Sequence, residues 1–161
     1  MNVANFGRQA ASENWGTPQW ISDKYIGGLY RDVVPYPRAD GYDALTEDWP
    51  AYAYCNPPYN NIQAFVEKAI SERTRGVETL MLLPVRTSTR YWQEHLLYKK
   101  GVDILFLPKR LKYISLDGHS RSSTAPFDSA LITIYPLSHL NCEFCPHCRR
   151  PFDQDDDDND V

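Results

Sequence analysis

The sequence predicts an α/β protein: a doubly wound, Rossmann-like sheet with an antiparallel hairpin at one edge. Two apolar runs without alternation, "VETLMLLPV" at 77–85 and "VDILFL" at 102–107, read as strands covered on both faces, as parallel strands are. Segments of helical periodicity precede each run, so strand and helix alternate. The stretch "KRLKYISLDGHSRSSTAPFDSALITIYP" at 109–136 reads as two extended segments around a polar loop, hence the hairpin.

Each element has a local reason. "NWGTPQWISDKYIGGLY" at 14–30 looks like a turn leading into a short helix, followed by the Pro-rich, polar stretch 31–50. "AYAYC" at 51–55 is a short strand. In "NNIQAFVEKAISERTRG" the apolar residues Ile62, Phe65, Val66, Ala69 and Ile70 repeat at helical spacing, with Asn60 or Asn61 placed to cap the start and Gly76 the end. "STRYWQEHLLYKKG" at 88–101 reads as a second helix.

A chain of 161 residues is long enough for one compact unit and short for two. The expected organisation is a catalytic domain over 1–136, a Cys/His-rich segment over 137–152 and an acidic, disordered tail over 153–161. The start carries no charged-then-apolar signal pattern and no apolar run is long enough for a membrane span, so the expected location is the cytoplasm. The net charge of −4 hides an asymmetry, because 6 of the 21 acidic residues are aspartates of the tail; setting those aside leaves 15 against 17 basic residues, a net of +2. The body is therefore not repelled from nucleic acid, nor basic enough for charge alone to assign it as a partner.

Three cysteines stand in "CEFCPHC". In a reducing compartment this spacing favours a structural zinc over disulfides, with Cys142, Cys145 and Cys148 joined by His139, or alternatively by His147 or a partner chain. Reduced thiols without metal are the competing reading. Cys55 reads as a small buried residue.

The segment "YCNPPY" at 54–59 carries the chemistry. Two adjacent prolines have fixed φ and no backbone N–H, so Pro57 and Pro58 cannot extend a ladder but hold their carbonyls in set directions. Asn56 adds a side-chain acceptor and Tyr59 an aromatic face. Acceptors beside a ring suit an amino group on a flat heterocycle; the bland alternative is a rigid turn between strand and helix. Ligands of open α/β sheets sit beyond the carboxyl ends of the strands. "NPPY", "PVRTST" and "PKRLK" each follow a predicted strand, so all three belong on one rim. Arg86 and Arg110, just past buried strands on that rim, are the cations placed to hold phosphates.

Six segments in order, among them "TPQW", "YCNPPYNNIQAFVEKAI", "LMLLPVRTSTRYW", "ILFLPKRLKY" and "APFDSALITIY", resemble the phage-type DNA N-6-adenine methyltransferases, the Dam-like family, from about Trp15 to Tyr135. The resemblance implies S-adenosylmethionine as methyl donor and the exocyclic amine of a flipped-out adenine in double-stranded DNA as acceptor. It implies that Asn56 Oδ1 and the Pro57 carbonyl accept from that amine and that Tyr59 stacks on the base. It places Asp32 near the donor's methionine moiety, and Thr17 with Pro18 where the cofactor pocket closes. Asp43 is the candidate for the cofactor's adenosine, or equally a turn residue. "RDVVPYP" stands where many methyltransferases carry a Gly-rich turn. The same motif also serves cytosine N4, RNA adenine and protein glutamine, and a catalytically silent DNA-binding protein would keep the same fold.

Overall fold

The computed structural model describes residues 15–37, 39–115 and 124–141. Nine elements order them: β1 (Trp15–Gly16), α1 (Gln19–Tyr25), β2 (Arg31–Asp32), β3 (Tyr52–Cys55), α2 (Ile62–Glu72), β4 (Glu78–Pro84), β5 (Val102–Phe106), β6 (Ile114–Ser115) and β7 (Ser129–Ile134). Single helical turns at Arg73–Arg75, Trp92–Leu96 and Leu137–Asn141 join them.

Five strands form an open sheet in the order β2-β3-β4-β7-β5. β2, β3 and β4 pair in parallel, and β7 pairs antiparallel with both β4 and β5. β2, β3, β4 and β5 therefore run one way, and β7 alone runs back between two of them. Along β4, Met81 and Leu83 turn to one face, where Phe65, Val66 and Ala69 of α2 pack with Trp92. Leu80 and Leu82 turn to the other, with Ile21 of α1, Leu111, Tyr113 and Leu131. The fold is a mixed α/β sheet whose two faces are covered unequally: α2 spans 11 residues and α1 only 7.

Four expectations need correction. The antiparallel hairpin at the edge is reduced, among the described residues, to one isolated bridge between Lys112 and Thr124, with Ala125 N–H on Leu111 O at 2.8 Å. Its first arm, β6, pairs with β1 in a separate two-stranded sheet, and its second arm, β7, lies inside the main sheet. Side-chain burial explains the choice, since β7 is buried along nearly its whole length while Ile114 of β6 is exposed. Conversely "VDILF" is an edge strand: Leu105 and Phe106 are 56% and 55% exposed. A continuous apolar run does not say which neighbour will cover it. The second helix shrinks to one wide turn, in which Leu97 N–H bonds to Trp92 O at 2.8 Å before the chain becomes extended at Leu97. Asn61 does occupy the first position before α2, but without a side-chain cap bond.

The end of the sheet away from the parallel strands' carboxyl termini is tied by one buried cation. Arg73 donates Nε to Tyr135 O at 2.8 Å and Nη2 to Lys100 O at 3.1 Å. Gly101 passes over this guanidinium at φ +73°, and a Cβ there would stand 2.5 Å from Arg73 Nη2. Glycine is required both by the backbone and by the space.

Candidate active site

The carboxyl ends of β2, β3, β4 and β5, with the start of β7, make one rim. The register fixes it: Asp32 lies beside Tyr54, Cys55 beside Met81, Pro84 beside Ser129 and Phe106 beside Ala130. "NPPY", "PVRTST" and "PKRLK" all leave the sheet at this rim.

Asn56 follows the last residue of β3. Its Nδ2 donates to Thr17 Oγ1 at 3.4 Å, and the same hydroxyl lies 3.0 Å from Tyr54 Oη. The start of α1 is thus bonded to both residues that flank Cys55. The two prolines are fixed at once into a turn, where Asn61 N–H reaches Pro58 O at 3.0 Å. No backbone bond among the described residues uses the Pro57 carbonyl. Cys55 is fully buried, and burial pushes its thiol well above the ordinary range, so it stays neutral.

Tyr59 stands half-buried in an aromatic group. Its ring meets Phe127 at 5.4 Å and Tyr113 at 6.1 Å, both edge to face. Burial raises the Tyr59 hydroxyl far above its normal pKa, and the neighbouring Tyr113 adds to it. Tyr113 Oη is 3.2 Å from Ser129 Oγ, and Arg86 lies over the Phe127 ring at 6.0 Å. Sequence reasoning did not assign Tyr54, Tyr113, Phe127 or Ser129 to the site. Tyr52 and Tyr54 stand two apart on one face of β3, so alternation in "AYAYC" does not separate them; Tyr54 is buried because Ile21, Leu80 and Leu82 cover its end of the strand. The other three converge from distant segments and left no local pattern.

Asp32 closes the rim on the β2 side. Its Oδ1 accepts from Val34 N–H at 2.9 Å, and burial raises its carboxyl above the usual range against that bond. No ion pair to Asp32 occurs among the described residues. A half-buried carboxylate with one oxygen bonded by the backbone suits a ligand cation, and this donor set fits the ammonium group of S-adenosylmethionine. Asp43 is exposed and makes a turn: its Oδ1 accepts from Leu45 N–H at 3.0 Å, and its carbonyl accepts from Thr46 and Glu47. Tyr42 Oη donates to Val33 O at 2.9 Å and ties this turn to the end of β2.

Of the two arginines, Arg86 is exposed over Phe127, and Arg110 stands 3.6 Å from Asp128 Oδ1 with both side chains exposed. An exposed pair of this length contributes little and is readily exchanged for another anion. His139 lies elsewhere, beside Tyr135 past the end of β7 and so at the opposite end of the sheet. Cys142, Cys145, Cys148, His147 and the acidic tail lie outside the described residues. Among the described residues no group of three or more His, Cys, Asp or Glu is placed to hold a metal, and no helix is long and apolar enough to cross a membrane.

An open sheet that gathers prolines, an amide, a carboxylate and aromatic rings at one carboxyl rim defines an α/β ligand-binding domain with its site at the strand ends. The family model described as DNA N-6-adenine-methyltransferase (Dam) matches residues 8–141, and the chain belongs to that family. No curated protein and no solved structure matches it.

Proposed function

We propose that this chain transfers a methyl group from S-adenosylmethionine to the N6 amine of an adenine flipped out of double-stranded DNA. The observation that carries this reading is the placement of Asn56, Pro57 and Tyr59 at the end of β3, beside Asp32 at the end of β2, in a chain of the Dam family.

The target nitrogen is a poor nucleophile because its lone pair is delocalised into the ring. Asn56 Oδ1 and the Pro57 carbonyl accept from its two N–H bonds, draw electron density onto nitrogen and stabilise the positive charge that develops there. Removing one preorganised group of this kind costs on the order of 100- to 1,000-fold in rate. When bound, S-adenosylmethionine supplies a methyl group on a positively charged sulfur. Asp32 would hold the donor's ammonium group, Thr17 and Pro18 would close its pocket, and Asp43, whose Oδ1 already accepts from Leu45 N–H, is the candidate for its adenosine. Tyr59, Pro58 and the rings around them form the wall on which the base stacks, a contact worth roughly 1–3 kcal/mol in comparable cases. A base inside the duplex cannot reach the rim, so unstacking of a few kcal/mol is offset by backbone contacts, for which Arg86 and Arg110 are the candidate cations.

The test is incubation of the purified protein with S-adenosylmethionine and duplex DNA, followed by nucleoside mass spectrometry. N6-methyladenine supports the reading. N4-methylcytosine would move the chemistry to another amine, and cofactor binding without any methylated base would point to a silent DNA-binding protein.

A further inference from the structure

The structure points to Thr17 as a positioning residue that sets which end of the Asn56 amide faces the target base. We infer that it does so by sharing its hydroxyl between Tyr54 Oη and Asn56 Nδ2, which leaves Oδ1 turned away from Thr17. The inference rests on the reading of Asn56 as an acceptor, and it gives Thr17 a task separate from closing the cofactor pocket.

A carboxamide is nearly symmetric in shape, so shape alone does not decide whether oxygen or nitrogen points at a ligand. For Asn56 the decision matters, since an amine that needs acceptors gains nothing from facing Nδ2. Thr17 Oγ1 sits within bonding range of Asn56 Nδ2 at 3.4 Å and Tyr54 Oη at 3.0 Å. A hydroxyl has one proton and two lone pairs. In the contact with Tyr54 either hydroxyl can donate, and in both cases a lone pair of Thr17 Oγ1 is left for Asn56 Nδ2. With the nitrogen held there, Oδ1 points the other way.

Tyr54 is suited to the task. Its ring is fully buried in the face packed by Ile21, Leu80, Leu82 and Leu131, so the hydroxyl is fixed in place. Burial also raises its pKa well above the ordinary value, so it stays a neutral phenol. The chain Tyr54–Thr17–Asn56 therefore converts the packing of one tyrosine into the orientation of one amide two residues on. The 3.4 Å separation is long for a hydrogen bond, and such contacts tighten when a site fills.

The experiment measures kcat, KM for duplex DNA, calorimetric affinity for S-adenosylmethionine and thermal melting for Thr17→Val, Thr17→Ser, Tyr54→Phe, the double variant Thr17→Val/Tyr54→Phe, and Asn56→Ala. Thr17→Val is expected to lower kcat at saturating cofactor on the order of 10- to 100-fold, the scale of a misplaced reacting group, separately from any loss of S-adenosylmethionine affinity. Thr17→Ser should recover most of that loss. Tyr54→Phe should lower kcat in the same way, and the double variant should be no worse than the poorer single one, because both break one chain. A Thr17→Val enzyme with normal kcat at saturating cofactor would overturn the inference, as would losses that multiply in the double variant. Should Thr17→Val fail to fold, Tyr54→Phe alone decides, since normal kcat there contradicts the link from Tyr54 through Thr17 to Asn56. Asn56→Ala at near wild-type rate would instead show that the underlying reading of Asn56 had failed.

Discussion

Phe127 meets Tyr59 edge to face, with ring centroids 5.4 Å apart and planes at 75°. Tyr59 comes from the turn after β3 and Phe127 from the segment just before β7, so this contact joins two ends of the rim across the intervening strand β4. Aromatic pairs of this geometry contribute about 0.5–1.5 kcal/mol beyond area burial. Phe127→Leu keeps an apolar side chain and removes the ring. It is expected to lower unfolding free energy by about 1 kcal/mol in urea titration and to lower methyl transfer by loosening Tyr59. Unchanged activity with the stability loss present would show that Tyr59 needs no brace.

Asp32 should trade stability for ligand binding. Its carboxyl is raised in the folded protein, chiefly by burial, above the ordinary 3.8. A raised acid favours folding below the unfolded pKa, and that contribution is lost as pH rises through the folded pKa. Asp32→Asn retains an acceptor for Val34 N–H and carries no charge. It should melt higher than wild type at neutral pH, with the gap closing as pH falls toward the ordinary carboxylate range. Calorimetry should show weaker S-adenosylmethionine binding in the same variant. A variant less stable at neutral pH would contradict the account of Asp32 as a costly, ligand-directed carboxylate.

At the far end of the sheet, Arg73 carries structure and no chemistry. Its bonds to the carbonyls of Tyr135 and Lys100 join the last strand to the turn before β5. Arg73→Met is expected to cost about 1.5–3 kcal/mol, the range for hydrogen bonds to a charged group, while kcat of the folded fraction is unchanged. Urea denaturation paired with active-site titration checks both halves.

Thr79 offers the opposite sign. It is fully buried in β4, and its hydroxyl has no hydrogen-bond partner among the described residues. Thr79→Val preserves the branched shape and removes the stranded hydroxyl, so it should leave stability unchanged or raise it by about 1 kcal/mol. A lower melting temperature would mean that the hydroxyl is satisfied in solution.

Much of this site was legible because its residues lie in single short segments. "YCNPPY" brings strand, prolines, amide and ring together without any tertiary information, and Asp32 and Thr17 were reachable through the resemblance. What stayed hidden is convergence. Phe127 and Tyr113 meet Tyr59, and Ser129 meets Tyr113, from segments around β7, which returns between β4 and β5, and apolar runs are silent about strand order. The same silence made β5 look central when it is an edge. Helix α2 was readable from its periodicity and from Gly76, which adopts φ +85°. The turn at Trp92–Leu96 was not, since the spacing of Trp92 and Leu96 suits a longer helix equally well.

The most direct test of the central claim is methyl transfer to adenine in duplex DNA by Asn56→Ala and Asn56→Asp, measured beside thermal melting and S-adenosylmethionine affinity. If Asn56 acts through a side-chain oxygen, alanine should lose activity on the order of 100-fold or more while aspartate retains a measurable rate, and both should still bind the cofactor. An alanine variant that methylates at near wild-type rate would contradict the account and leave "NPPY" as a turn.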